Sequence, residues 1–146
     1  MNPADKTAKA QTGSLSFEFE LPHEPAKVWR ALTDPGLLTE WLLPVDDLAL
    51  EPGAAFRFQA PPQPGWDGVV NCRCREIVPL KMLSWEWVVG DIDTVVTFTL
   101  EPTAKGTRLS LVQSGFKSDQ KQALGGARYG WKMMGERLVD LLARMP

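Results

Sequence analysis

The chain has one histidine, His23, and two cysteines, Cys72 and Cys74, in 146 residues. That scarcity removes much of catalytic chemistry at the outset, because acid–base, nucleophilic and metal sites draw on convergent His, Cys and carboxylate groups. No H-E-x-x-H, G-x-S-x-G, phosphate-cradling or dinucleotide-binding glycine motif is present. His23 falls between Pro22 and Glu24 and reads as an exposed turn residue. Cys72 and Cys74 lie two apart on a strand pattern, so they share a face and are poorly placed to bond each other. Their spacing is also too short for a zinc bite. Both read as small buried hydrophobes, reduced thiols in a cytoplasmic protein. Asp91 and Asp93 flank Ile92 and read as hairpin-turn polarity, not as a metal pair. No catalytic residue, metal or cofactor is expected.

Charge of one sign is lacking too. A net charge of −2 at pH 7 leaves no electrostatic footprint for nucleic acid or for an anionic membrane surface. No run approaches the ~18 consecutive apolar residues that a membrane-crossing helix needs. Residues 1–13 are polar and hold no apolar core of a signal peptide, so a disordered leader is expected there. Residues 14–146 are long enough for one domain with a sizeable core.

What is present is periodic. Leu124, Ala127, Trp131, Met134, Leu138, Leu141 and Met145 follow at alternating gaps of three and four, one stripe of a long helix over 118–145. Ser118 or Asp119 can cap it. Earlier, Leu15, Phe17, Phe19 and Leu21 alternate with polar residues, a strand with one buried face. Two short helices follow. Pro25 suits the first turn of one, and Asp34-Pro35 is the start signal of the other. The middle alternates again at Phe56–Phe58, at Val70–Cys72–Cys74, at Leu83–Trp85–Trp87–Val89, at Val96–Phe98–Leu100 and at Leu109–Leu111–Gln113. Short connections imply a mostly antiparallel sheet, on which the helix lays its apolar stripe: an α+β layer pair.

Four stretches carry a resemblance: PAKVWRALTDPGLLTEW (25–41), GVVNCRCREIVPLKMLSWEW (68–87), TVVTFTLEPTAKGTRLSLVQSGF (94–116) and GWKMMGERLVDL (130–141). In this order they resemble the family of activator of heat-shock-protein-90 ATPase homologue-like proteins, of the START-like, or SRPBCC, superfamily. The resemblance spans about residues 14–145. It implies the helix-grip fold: a curved antiparallel sheet around a long C-terminal helix, two short helices after the first strand, and a cavity between sheet and helix. The loop over 60–66, with three prolines, looks long for this family and is expected across the cavity mouth. The family name also implies a chaperone as partner, although the full activator's N-terminal chaperone-binding domain has no counterpart here. The superfamily holds cyclase- and dehydratase-type enzymes as well, but their chemistry needs a placed acid or base, and none is identified.

The six tryptophans are the most suggestive residues. Phe56, Phe58, Trp85, Trp87, Phe98, Gln113, Trp131 and Met134 all fall on inward faces. They are the expected lining of an aromatic cavity for a small apolar ligand. Arg57, Gln113 and Tyr129 are candidate polar anchors inside it or at its rim. An aromatic core with no room for a guest fits the same pattern. Gly125, Gly126 and Gly130 weaken the first half of the long helix, through close packing on the sheet or as a movable flap.

Overall fold

The computed structural model describes residues 4–5 and 13–146. Most of the expected leader therefore lies outside the described residues. Its Ala4–Asp5 (β1) pairs with the first long strand, Ser14–Leu21 (β2). Helices α1 (Pro25–Thr33) and α2 (Pro35–Trp41) follow. Pro25 and Pro35 open them, and the Asp34 carboxylate accepts the Leu37 N–H at 3.1 Å as an N-cap. The chain then runs through β3 (Val45–Asp46), β4 (Ala55–Gln59), β5 (Val69–Val78), β6 (Met82–Val89), β7 (Ile92–Thr103) and β8 (Gly106–Ser114). Helix α3 (Lys121–Arg144) closes the fold.

Among the described residues there is one antiparallel sheet, in the order β1-β2-β8-β7-β6-β5-β4-β3. Strands β4 to β8 are sequential hairpins. The first long strand pairs beside the last, which places β8 in the interior of the sheet, between β2 and β7. The β6–β7 turn runs through Gly90 at φ 59°, a conformation that favours glycine. At the β7–β8 turn a Cβ on Gly106 would lie 2.2 Å from the Leu21 carbonyl oxygen, so only glycine fits there.

The inner sheet face follows the period of two. Phe17, Phe19, Phe56, Phe58, Val70, Cys72, Cys74, Leu83, Trp85, Val96, Phe98, Leu109 and Leu111 are all buried. The helix stripe covers them with Trp131, Met134, Leu138 and Leu141. Burial of this apolar area, at about 25 cal/mol per Å², is the dominant force holding helix to sheet. Trp41 donates its indole N–H to the Ala31 carbonyl at 2.8 Å and fastens α2 to α1. Trp85 is wholly buried, with Phe98, Phe56 and Phe58 centroids 5.4, 5.5 and 5.8 Å from its ring. Its indole N–H has no hydrogen-bond acceptor among the described residues.

The start of α3 differs from expectation. Ser118 and Asp119 do not cap it; Gln120 occupies the N-cap position. The Gln120 side chain accepts the Lys117 N–H at 2.8 Å and donates to the Asp91 carbonyl at 3.1 Å. Its long side chain reaches where Ser and Asp cannot, and it straps the head of α3 to the β6–β7 turn.

Candidate ligand cleft

The two halves of α3 meet the sheet differently. From Trp131 to Leu141 the stripe is buried, but Ala123, Leu124 and Ala127 are only half-buried. Gly125 and Gly126 do not mark a close approach: a Cβ on either would meet nothing within 4 Å. The close-packing explanation for these two glycines therefore fails. Between this half of the helix and the sheet lies a cleft of about 380 Å³. That is within the ordinary range for small-molecule sites.

Its floor is aromatic. Trp87 of β6 and Trp131 of α3 stand 5.5 Å apart, centroid to centroid, at 50°. Val89 and Ile92 line the β6–β7 end, Leu43 and Phe116 the flanks, and Ala127 and Met134 the roof. Trp66, from the proline-rich loop, closes one side. The loop holds Trp66 there by local bonds. Gln63 and Trp66 exchange backbone bonds at 2.9 Å, Gln59 Nε2 donates to the carbonyls of Ala60 and Asp67, and Trp66 Nε1 donates to the Val69 carbonyl at 3.1 Å.

One polar chain runs behind the floor. The Trp131 indole N–H donates to Gln113 Oε1 at 2.7 Å. Gln113 Nε2 donates to Thr94 Oγ1 at 2.9 Å, and the Thr94 hydroxyl donates to the Trp87 carbonyl at 2.8 Å. The direction is forced at both ends. An indole nitrogen can only donate and a carbonyl can only accept, so the amide oxygen must face Trp131 and its nitrogen Thr94. The chain ties α3 to β8, β7 and β6 at their inner face.

Of the eight residues expected to line a cavity, the structure brings Trp87, Gln113, Trp131 and Met134 to the cleft. Phe56, Phe58, Trp85 and Phe98 lie behind it. They are buried, pack against one another at 5.4–5.8 Å, and are absent from the cleft lining. Their rings fill the space between sheet and helix, so the cavity occupies only one end of that layer. Of the candidate anchors, Gln113 alone faces inward. Arg57 is exposed opposite Asp47 at 3.9 Å, and Tyr129 is 68% exposed on the outer side of α3. Thr94 escaped the sequence reading although it stands in phase with Val96 and Phe98 on β7. Leu43, Phe116 and Ala123 gave no such signal, since their roles follow from tertiary placement.

Among the described residues the remaining titratable groups make no competing site. Burial pushes the Cys72 thiol far up, with the Glu86 carboxylate adding to the effect, and burial raises Cys74 as well. His23 is half-buried where an exposed turn residue was expected, and the Thr107 hydroxyl donates to its backbone carbonyl at 2.7 Å. Desolvation and the nearby Lys27 lower its pKa. A depression of about 420 Å³ on the outer face of β4–β6 is rimmed by Asp47, Arg57, Arg73 and Glu86. Such exposed, mixed charge is ordinary solvated surface. Among the described residues no helix is long and apolar enough to cross a membrane.

A curved antiparallel sheet gripping a long C-terminal helix, with two short helices after the first long strand, is the helix-grip architecture of the START-like superfamily. The model for "Activator of Hsp90 ATPase homolog 1-like protein" matches residues 22–143, and the chain belongs to that family. Among solved structures it is similar to protein MLL2253 from Mesorhizobium loti, at 40% identity over 91% of this chain and 98% of that one, with a TM-score of 0.84. It is similar also to protein NE0264 from Nitrosomonas europaea, at 25% identity over 91% and 96%, TM-score 0.75. CalU16 from Micromonospora echinospora shares the fold at 23% identity over 97% and 84%, TM-score 0.75. A search of curated proteins gives no match.

Proposed function

We propose that this chain is a binding protein for a small apolar molecule, held in the cleft between the first half of α3 and the sheet. One observation carries the reading. The helix stripe is sealed against the sheet from Trp131 to Leu141, yet stands open over about 380 Å³ before it, with an aromatic floor and mostly small residues in the roof. A core with no use for the space would fill it, since voids forfeit dispersion contacts on every side. Among the described residues no acid, base or nucleophile lines the cleft, which favours binding over catalysis.

The test is calorimetric titration with neutral naphthalene derivatives, on the natural chain and on Ala127→Trp. Ala127 lies on the inward stripe of the roof, and an indole there occupies the guest's volume. The natural chain is expected to bind with a negative heat-capacity change, and the variant to fold but not bind. Equal binding by both places the guest elsewhere and overturns the assignment. The family description favours a second reading, a module that modulates a chaperone ATPase. Retention of purified Hsp90 by the immobilised chain, unaffected by Ala127→Trp and with no naphthalene bound, selects that reading instead.

A further inference from the structure

The cleft's walls are apolar, and among the described residues its lining contains no Asp, Glu, Lys or Arg. An ionised guest would lose its hydration there with nothing to replace it. The lining does hold hydrogen-bonding groups, and most are already committed. The indole N–H of Trp66 goes to Val69 and that of Trp131 to Gln113. Gln113 is different. It is 1% exposed and lines the cleft, and its amide has two N–H groups and two acceptor lone pairs. The polar chain uses one N–H, toward Thr94, and one lone pair, toward Trp131.

The second Nε2–H has no protein acceptor among the described residues. Because Trp131 can only donate and the Thr94 hydroxyl is spent on the Trp87 carbonyl, the amide cannot flip to hide this N–H. A buried amide donor left unmatched is the costlier kind of orphan, since carbonyl lone pairs are more often left spare. Its orientation is fixed before any guest arrives, so a guest acceptor meets a donor with little ordering left to do.

Resting on the cleft reading above, we infer that the cleft selects neutral, largely apolar guests carrying one hydrogen-bond acceptor of the carbonyl kind, which the spare Gln113 Nε2–H engages. Gln113 is thereby the specificity-determining residue of the cleft, and Thr94 a positioning residue that acts through it.

The experiment uses shape-matched probes: 2-acetylnaphthalene, with a ketone acceptor; 2-isopropenylnaphthalene, with a methylene in its place; and 2-naphthoate, which is charged. The natural chain is expected to bind the ketone about three- to tenfold more tightly than the alkene, the range of one hydrogen bond, and to bind naphthoate weakest. Gln113→Met should bind ketone and alkene alike, near the alkene's original affinity. Thr94→Val should narrow the ketone preference while leaving the alkene's affinity in place, which a merely structural role would not do. The preference of the natural chain decides the matter even where a variant fails to fold. Equal affinity of the natural chain for ketone and alkene overturns the inference and leaves the cleft as a plain apolar site. Binding of none of the three overturns it together with the cleft reading, and tightest binding of naphthoate overturns its neutral-guest half.

Discussion

Burial holds the Cys72 thiol protonated well above its ordinary range, and the neighbouring Glu86 carboxylate pushes the same way. The unfolded chain releases that proton near pH 8.5, whereas the folded chain keeps it. Above that pH the folded state then holds more protons than the unfolded state, so this thiol's contribution to stability is constant below about pH 8 and falls as pH rises beyond. Urea denaturation from pH 7 to 10 should show a loss approaching ~1.4 kcal/mol per pH unit from this thiol. Cys72→Ala lowers the baseline but should flatten the slope; an unchanged slope assigns the loss to other groups. Gln113 makes the second prediction at this scale. Gln113→Leu strands the Trp131 indole N–H and removes the donor to Thr94, and should cost about 1–3 kcal/mol in denaturant stability. A neutral effect would mean that the chain behind the floor contributes little. Both residues were placed on the inner face by alternation alone. Their partners were not legible, because the Trp131–Gln113 bond joins elements eighteen positions apart whose docking depth no local pattern encodes.

At the scale of the element, α3 is sealed in one half and open in the other. Its apolar stripe was visible in the spacing, and Trp131, Met134 and Leu138 are buried as that spacing requires. The N-cap was misplaced because Ser118 and Asp119 are the usual capping types, whereas Gln120 prevails through a tertiary bond to Asp91. Gly125 and Gly126 face open space and each disfavour the helix by about 1 kcal/mol relative to alanine. Gly125→Ala with Gly126→Ala should therefore stabilise the chain by about 1–2 kcal/mol, read as a higher thermal midpoint. A lower midpoint would show that these positions leave helical geometry. Asp34→Ala in α2 tests an ordinary cap and should cost about 1 kcal/mol by the same measurement, whereas no change would assign the Leu37 N–H to solvent.

For the whole molecule, the succession of long strands and helices along the chain and the grip of α3 on the sheet could be read from periodicity and from the resemblance of four stretches; the two-residue strands β1 and β3 are too short to show a period. The extent of the cavity could not. Period-two patterning marks a face as inward but does not say whether rings there meet a guest or each other. Phe56, Phe58, Trp85 and Phe98 share the inner face with Trp87, yet close on one another because β4, β6 and β7 bring their rings within 5.8 Å across the curved sheet, over the small β5 side chains between. The cleft survives only where α3 presents Ala123, Gly126, Ala127 and Gly130, so that Met134 is the one large aliphatic side chain in its roof. The six tryptophans divide along the same line: Trp66, Trp87 and Trp131 line the cleft, while Trp41 and Trp85 belong to the solid core and Trp29 packs at its edge. Each indole N–H gives its own resonance in a proton–nitrogen correlation spectrum, assignable by single Trp→Phe variants. Titration with 2-acetylnaphthalene should move the Trp66, Trp87 and Trp131 resonances in saturable fashion and leave those of Trp29, Trp41 and Trp85 in place. No movement at saturating probe, or shifts centred on Trp41 and Trp85 instead, would contradict the cleft as the binding site.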